Sequence, residues 1–226
     1  MIFLLLFLLF AFWLILRSGK REARKAAVKG EYGENQIADI LEQYQKKRKK
    51  ESMRVLRNLY IPIGKETTEI DLVMIHEKGI LVFESKYYGG WIYGTRKNEY
   101  WTQKFPNGKS YQFYNPMKQN QTHIKALAEY LNLPPDDFDS YIVFSDECEL
   151  KRVPKNGEKV KIIRQFQLSR NLWDRLDGGE SNKKLNRREV KAIAEKLTPL
   201  TRVSAKVKQR HIAYVRDLQK DLRKKR

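Results

Sequence analysis

The sequence predicts an α/β protein whose mixed central sheet of four or five strands is flanked by helices. Short runs rich in Ile, Val, Leu and Phe recur through the chain, and each has the length and composition of a buried strand. Segments with an apolar stripe at helical spacing lie between and after these runs. Hydrophobic residues make up 41% of the 226 residues, which is enough to build the core of one domain with appendages.

An uninterrupted apolar run occupies residues 2–16. As a helix it spans roughly 22 Å, which is short of a hydrocarbon core of about 30 Å. A signal peptide fits poorly, because no basic residue precedes the run and no small-x-small cleavage site follows it directly. Arg17 opens a basic segment that stays cytoplasmic by the positive-inside rule. We therefore expect residues 1–16 to be a single-pass transmembrane signal-anchor in the cell membrane, with the body in the cytoplasm. A cleaved signal and an interfacial helix are the alternatives.

The first helix of the body is predicted at residues 30–47. Ile37, Leu41 and Tyr44 recur at helical spacing and mark its buried face. Glu34 lies on the same face, three residues before Ile37, so this carboxylate is expected to point inward. The alternative is that Glu34 only stabilises the helix, because its negative charge lies near the positive N-terminal end of the helix dipole.

A central hairpin follows a first strand at residues 55–63. Apolar runs at residues 70–75 and 80–83 flank a polar break of hairpin size that ends in glycine. With a two-residue turn, Asp71 lies opposite Glu84 on one face of the hairpin. With a three-residue turn, Asp71 lies on the other face unless a bulge corrects it. The sequence leaves both registers open.

Three charged residues interrupt these apolar strands: Asp71, Glu84 and Lys86. A charge in a buried strand is costly unless it is paired or binds a metal. Glu84 and Lys86 are two residues apart, so on a strand they project from the same face. Two carboxylates and an ammonium group can bind a hard cation through oxygen ligands and act on a water and a phosphate. The alternative is a surface hairpin with an ordinary Glu–Lys pair.

Two short strands are predicted next, at residues 91–93 and 100–101, followed by a loop at 105–112. Their aromatic residues can stack on bases or pack as ordinary sheet residues. Asn115 and Pro116 then open a second helix, which Pro134 and Pro135 end. The remaining elements are strands at 140–144 and 159–163 around a polar segment at 146–157, then helices at 167–176, 186–197 and 202–226, with a break at Gly178-Gly179.

Charge and cysteine content narrow the function classes. The formal net charge of +19 is concentrated in the flanks: residues 17–29 carry +5 and residues 201–226 carry +8, whereas the body at 30–200 carries +6. Such flanks suit nucleic acid or anionic lipid, and a solvated tail is the alternative. Cys148 is the one cysteine, which excludes an internal disulfide, and the three histidines have no zinc-ligand spacing.

Four segments of the chain form a specific pattern: GEYGE at residues 30–34, EIDLVMI at 69–75, ILVFESKYYGGWIYG at 80–94 and NPMKQNQTHIKAL at 115–127. Together they resemble the nuclease-related domain (NERD) family of the PD-(D/E)xK nuclease superfamily. Ile70 stands where the superfamily's name has Pro. The resemblance implies a restriction-endonuclease-like core at residues 30–200 and hydrolysis of phosphodiester bonds that depends on Mg²⁺, with Mn²⁺ as an alternative.

The resemblance also implies a set of site residues: Asp71, Glu84, Glu34, Lys86 and Gln119. The three acids would be metal ligands, the lysine would position water or stabilise charge, and the glutamine would support the site. Gln119 lies off the apolar stripe of its helix, and Gln121 is the alternative. The implied partner is nucleic acid, DNA ahead of RNA, although no motif decides between them. The competing class is a membrane-tethered module that binds nucleic acid or anionic lipid without cleaving, and a scaffold is a third option.

Overall fold

The structure, a computed structural model, describes residues 27–177 and 185–224. Its first sheet is mixed, as predicted, because the three strands of the first half are antiparallel and the later strands are added in parallel to the third. In spatial order, the five strands are β1 (Met53–Ile63), β2 (Glu66–His76), β3 (Gly79–Lys86), β7 (Phe138–Phe144) and β9 (Val160–Arg164).

A second, four-stranded sheet was not predicted. In spatial order it consists of β6 (Ser110–Tyr114), β5 (Tyr100–Lys104), β4 (Gly90–Tyr93) and β8 (Cys148–Arg152). The predicted loop at 105–112 and the predicted polar segment at 146–157 are therefore wrong in part. Most residues of β6 and β8 are exposed, so neither strand has the apolar run by which buried strands are recognised.

Helices cover both faces of the first sheet in the described part of the chain. The core on one face includes residues of α1 and α3, and the core on the other includes residues of α2 and α4. The five helices are α1 (27–47), α2 (Pro116–Leu131), α3 (Leu168–Leu176), α4 (Arg187–Leu197) and α5 (Ala205–Lys224). These positions confirm the predicted helices to within a few residues at each end.

The signal that begins α2 is the one read from the sequence, whereas the helix ends at Asn132, before the predicted stop at Pro134-Pro135. Asn115 caps the helix, since its side-chain oxygen accepts a hydrogen bond from the Met117 N–H, and Pro116 occupies the first helical position. Asn132 ends the helix in the left-handed conformation, with φ 56°. The cap at Asn115 fixes where the first turns of α2 meet the sheet.

The central hairpin has the two-residue turn, which settles the register. His76 pairs with Gly79 and Leu72 pairs with Phe83. His76 also stabilises the turn, because its Nδ1 accepts a hydrogen bond of 3.0 Å from the Lys78 N–H. Of the two registers, the one that brings Asp71 toward Glu84 is therefore confirmed.

Three predictions concern residues outside the described ranges. They are the anchor at 1–16, most of the basic linker at 17–29, and the break at Gly178-Gly179. Within residues 27–177 and 185–224, none of the helices combines the length and apolar character that crossing a bilayer requires.

Candidate active site

Near Asp71, the side chains of β2 change which face of the first sheet they project from. Leu72 and Met74 pack with α1 and α3, whereas Ile70, which simple alternation would put beside them, packs with α2 and α4. The neighbouring strand β1 is irregular at the same point. Asn58 lies between the pairs Arg57–Leu72 and Leu59–Ile70, and its backbone is left-handed, with φ 53°. Asparagine tolerates this backbone conformation better than most residues. Asp71 itself belongs to neither core and is partly exposed.

Glu84 is almost fully buried and is held at both carboxylate oxygens. The Lys86 ammonium donates to its Oε1 at 2.5 Å, and the Nε2 of His123 lies 3.1 Å from its Oε2. Burial alone would raise the pKa of this carboxyl, but Lys86 and His123 outweigh it and hold the pKa below its ordinary value. Glu84 is therefore ionised at neutral pH.

Asp71 has the opposite electrostatic balance. Burial raises its pKa well above the ordinary value, and the nearby charges of Glu84 and Glu34 raise it further. One compensating contact is the backbone N–H of Ser85, which donates to its Oδ2 at 2.8 Å. The ionised form of Asp71 is thus disfavoured by its surroundings, and a bound cation would relieve this.

Glu34 reaches this region from α1, on the opposite side of the sheet from α2. Burial and then the charge of Glu69 raise its pKa from 4.5 to about 7, with a smaller contribution from Glu84. The helix can approach because residue 33 is glycine: a Cβ there would lie 3.0 Å from the Cβ of Tyr87. Gly33 thereby lets α1 pack against the end of β3 and brings Glu34 close to the other acids.

Lys86 connects the acids to α2. Its ammonium donates to Glu84 and, at 3.1 Å, to Oε1 of Gln119. Burial would lower the pKa of this lysine, but the charge of Glu84 raises it above the ordinary value, so the ammonium stays protonated. Of the two candidate glutamines on α2, Gln119 faces Lys86 and Gln121 is exposed. Gln119 is therefore the one of these two glutamines that contacts Lys86.

His123 was missed as a site residue, although the sequence shows it four positions after Gln119 and therefore on the same side of α2. Its Nδ1 lies 2.7 Å from the Thr68 hydroxyl, and its Nε2 faces Glu84. An ionised carboxylate only accepts hydrogen bonds, so Nε2 carries the hydrogen. A continuous hydrogen-bonded chain therefore runs from Thr68 through His123, Glu84 and Lys86 to Gln119.

The described side chains include no group of three or more His, Cys, Asp and Glu residues positioned to share a metal ion. As placed, Glu84 raises the pKa of both Asp71 and Glu34, but the three carboxylates do not converge as a ligand set. Their chemistry still suits a hard cation, because carboxylate oxygens are the ligands that Mg²⁺ prefers.

The basic C-terminal helix α5 docks beside this region. His211 is buried, and its Nδ1 lies 2.8 Å from the carbonyl oxygen of Thr67. The same histidine approaches Glu69 at 3.7 Å, and the Tyr60 hydroxyl donates to Glu69 at 2.6 Å. These contacts of His211 attach α5 to β2, the strand that carries Asp71.

Comparison with known families bears on the same segment of the chain. The model of the nuclease-related domain family matches residues 29–145, which includes all five predicted site residues. The chain belongs to this family. This NERD chain is 32% identical over 189 residues to an uncharacterized protein of Bacillus anthracis, with 83% of this chain and 84% of that protein aligned.

Among solved structures, the Pyrococcus furiosus SfsA protein in complex with Ca²⁺ resembles the NERD chain only weakly. The match has 20% identity and a TM-score of 0.26, and it spans 68% of this chain and 54% of the SfsA chain. A similarity of this size bears on neither fold nor function.

The glycines of the NERD segment YYGGWIYG have a packing explanation. Gly90 has φ 75°, and a Cβ there would meet the carbonyl oxygen of Lys104 at 2.6 Å. A Cβ at Gly94 would lie 2.2 Å from the ring of Trp101. Trp101 is fully buried and stacks on Phe144, so base stacking, which the sequence left open for this residue, is wrong. These contacts join the second sheet to the end of the first.

Cys148 fits the inert role that its isolation suggests. The thiol is almost fully buried, and burial raises its pKa to about 11. A protonated, buried thiol is a poor nucleophile. The chemistry of the described site therefore comes from carboxylates, an ammonium and an imidazole.

Proposed function

We propose that this protein is a metal-dependent nuclease that hydrolyses phosphodiester bonds of nucleic acid. The observation that carries the proposal is the grouping of three acids: Glu84, which binds the partly buried ammonium of Lys86, raises the pKa of both Asp71 and Glu34. Structural ion pairs balance their charges, but here the surroundings raise the pKa of two of the three acids. Acids whose ionised forms are disfavoured in the metal-free protein, next to a fixed ammonium, suit a site that takes a cation and a phosphate.

Asp71 and Glu84 would hold Mg²⁺ or Mn²⁺, and Glu34 would complete the set as the carboxylates draw together. When bound, such a cation supplies positive charge against the phosphate and lowers the pKa of a neighbouring water. Glu84 is suited to this role because Lys86 and His123 keep it ionised.

Lys86 would act as a positive charge that stabilises the phosphate, and not as a general base that accepts a proton. Its raised pKa makes it a poor general base at neutral pH and a permanent positive charge. Directed at a phosphate oxygen, that charge favours the transition state, in which negative charge develops. Gln119 would hold the ammonium in position through its 3.1 Å contact.

The three roles predict different responses to mutation in the full chain. Asp71→Ala and Glu84→Ala should lose both the Mg²⁺-induced rise in melting temperature and cleavage. Lys86→Ala should keep the metal-induced rise and lose cleavage, because the lysine is no ligand. Asp39→Ala, an exposed acid on α1, is the matched control and should change neither. Loss of the metal response in Lys86→Ala alone would contradict the assignment.

The competing function is a module that binds nucleic acid without cleaving it. One observation favours it: both oxygens of Glu84 are already engaged, by Lys86 and His123. A purely structural role for this pair predicts that wild type shows neither a metal-induced thermal shift nor cleavage in the same experiment.

We also propose that residues 1–16 anchor the chain in the cell membrane with the body in the cytoplasm. Support comes from the apolar run and the basic segment that follows it. Protease added outside intact cells should then spare the body. Digestion of the body there would contradict this topology.

A further inference from the structure

The second sheet has one buried face and one face turned to solvent. Ile92, Trp101 and Cys148 are almost fully buried and pack with Phe144 of the first sheet. Residues paired directly across neighbouring strands project from the same face. The pairs on the opposite side involve residues that are partly or fully exposed: Trp91–Lys104, Tyr93–Thr102, Tyr100–Tyr114 and Trp91–Glu149. We call this side the outer face.

Four aromatic rings lie on the outer face: Trp91, Tyr93, Tyr100 and Tyr114. Solvent-facing residues of a sheet edge are usually polar or charged, so this concentration of rings needs a reason. Tyr114 is 36% exposed, and its ring meets that of Tyr100 edge-on at 6.1 Å. Within the described residues, none of the four rings belongs to a core cluster, and each is partly or fully exposed.

Positive charge accompanies these rings. Residues 90–114 and 148–155, which form the second sheet and its loops, hold seven basic and two acidic residues, a net charge of +5. The body at 30–200 carries +6 in total, so nearly all of its excess charge lies in this sheet and its loops. Lys104 is the cross-strand partner of Trp91, and the Lys151 ammonium lies 5.9 Å from the centre of the Trp91 ring.

We propose that the outer face binds single-stranded nucleic acid. Unpaired bases expose their faces and stack on aromatic side chains, while cations between the rings contact the phosphates. A duplex offers only its backbone to such a surface, because its bases are already stacked inside. This inference deepens the proposed function by naming the class of substrate, and it rests on that function only for the link to cleavage.

The outer face lies close to the candidate active site along the chain. β3 ends at Lys86 and β4 begins at Gly90. Trp91 therefore follows Lys86 by five residues, a reach of at most about 18 Å even for a fully extended chain. A nucleic-acid strand bound on the outer face can thus extend to Glu84 and Lys86 at the end of β3.

Binding of short labelled oligo(dT) and oligo(U) to the full chain, measured by fluorescence anisotropy in EDTA, tests the proposal without turnover. Trp91→Ala should weaken binding about tenfold through the lost stacking, with an unchanged dependence on salt. Lys104→Ala should flatten the slope of log affinity against log salt by about 0.7. Trp91→Phe should retain most of the affinity, because it keeps a ring.

Two exposed aromatic residues provide matched controls. Trp173 is 46% exposed on α3, and Tyr111 is 54% exposed on the other face of the same sheet. Trp173→Ala and Tyr111→Ala should bind as wild type does. Tyr114→Ala, on an edge strand, keeps the test valid if Trp91→Ala fails to fold. Affinities of Tyr114→Ala and Trp91→Ala that equal those of both controls would overturn the proposal.

The same preparations distinguish this inference from the proposed function. If the protein cleaves with Mg²⁺ but the outer-face variants bind the oligonucleotides with wild-type affinity, the binding role of the outer face is rejected and the nuclease function is retained. Single-strand binding that depends on Trp91, without cleavage under any metal, would retain the outer face and reject the nuclease.

Discussion

Asp71 and Glu84 lie on neighbouring strands, yet their surroundings shift the pKa of the two carboxyls in opposite directions. Ionised Glu84 is stabilised by Lys86 and His123, whereas ionised Asp71 is opposed by burial and by nearby acids. In EDTA, Asp71→Asn should therefore raise the melting temperature, because it removes repulsion. Glu84→Gln should lower the stability by about 2 kcal/mol, because it leaves the buried ammonium without its counter-charge. Thermal melts that move in the same direction for both variants would contradict this electrostatic assignment.

Glu34 should make the metal-free protein sensitive to pH. Its pKa is 4.5 in an unfolded chain and about 7 in the fold. Between these values the folded state keeps a proton that the unfolded chain releases, so stability should fall as the pH rises from about 4.5 to 7. Urea unfolding in EDTA across this range measures the effect. Glu34→Gln should reduce the pH dependence, and Asp39→Asn, which removes an exposed acid from the same helix, should not.

At the level of single residues, the sequence indicated the five site candidates but not their surroundings. Asp71, Glu84 and Lys86 stood out because charges in apolar strands need partners. His123 did not stand out, because its contacts, Thr68 and Glu84, are distant in sequence and meet it only when α2 packs on the sheet. The change of faces at Asn58 was equally invisible, since it depends on how two paired strands twist together.

Among the elements, the second sheet depends on close packing at Gly94. A Cβ at this position would overlap the buried ring of Trp101, 2.2 Å away. Gly94→Ala should therefore destabilise the protein by about 2 kcal/mol or more. Gly30→Ala is the matched control: its Cβ meets nothing within 4 Å, and alanine in a helix should stabilise α1 by up to about 1 kcal/mol. Denaturant midpoints that fall equally for both variants would show that the contact with Trp101 is unimportant.

Long elements with clear periodicity were predictable, and short exposed ones were not. The hairpin β2–β3 and the helix α2 carry strong apolar patterns and clear turn or cap residues. β6 and β8 are strands because they pair with β5 and β4, although their own residues are mostly exposed. Their pairing partners, instead of their composition, determine their structure, so a single sequence gives little indication of them.

For the whole molecule, the distribution of charge predicts how binding responds to salt. The segment at 201–226 carries ten basic and two acidic residues, and His211 attaches its helix to the strand that holds Asp71. Removing residues 202–226 should flatten the salt dependence of duplex DNA binding, because fewer counterions are released. Filter binding of the full and shortened chains measures the slope. An unchanged slope would assign the segment to a lipid or protein partner instead.

The most direct test of the central claim is cleavage of end-labelled DNA by the full chain. With Mg²⁺ or Mn²⁺, wild type should convert single-stranded or duplex substrate to shorter products, and EDTA should abolish this. Lys86→Ala should lose most of the rate, whereas Lys125→Ala, which removes an exposed lysine from α2, should cleave like wild type. Activity that survives EDTA, or that Lys86→Ala retains in full, would contradict the account of Asp71, Glu84 and Lys86 as a metal-dependent nuclease site.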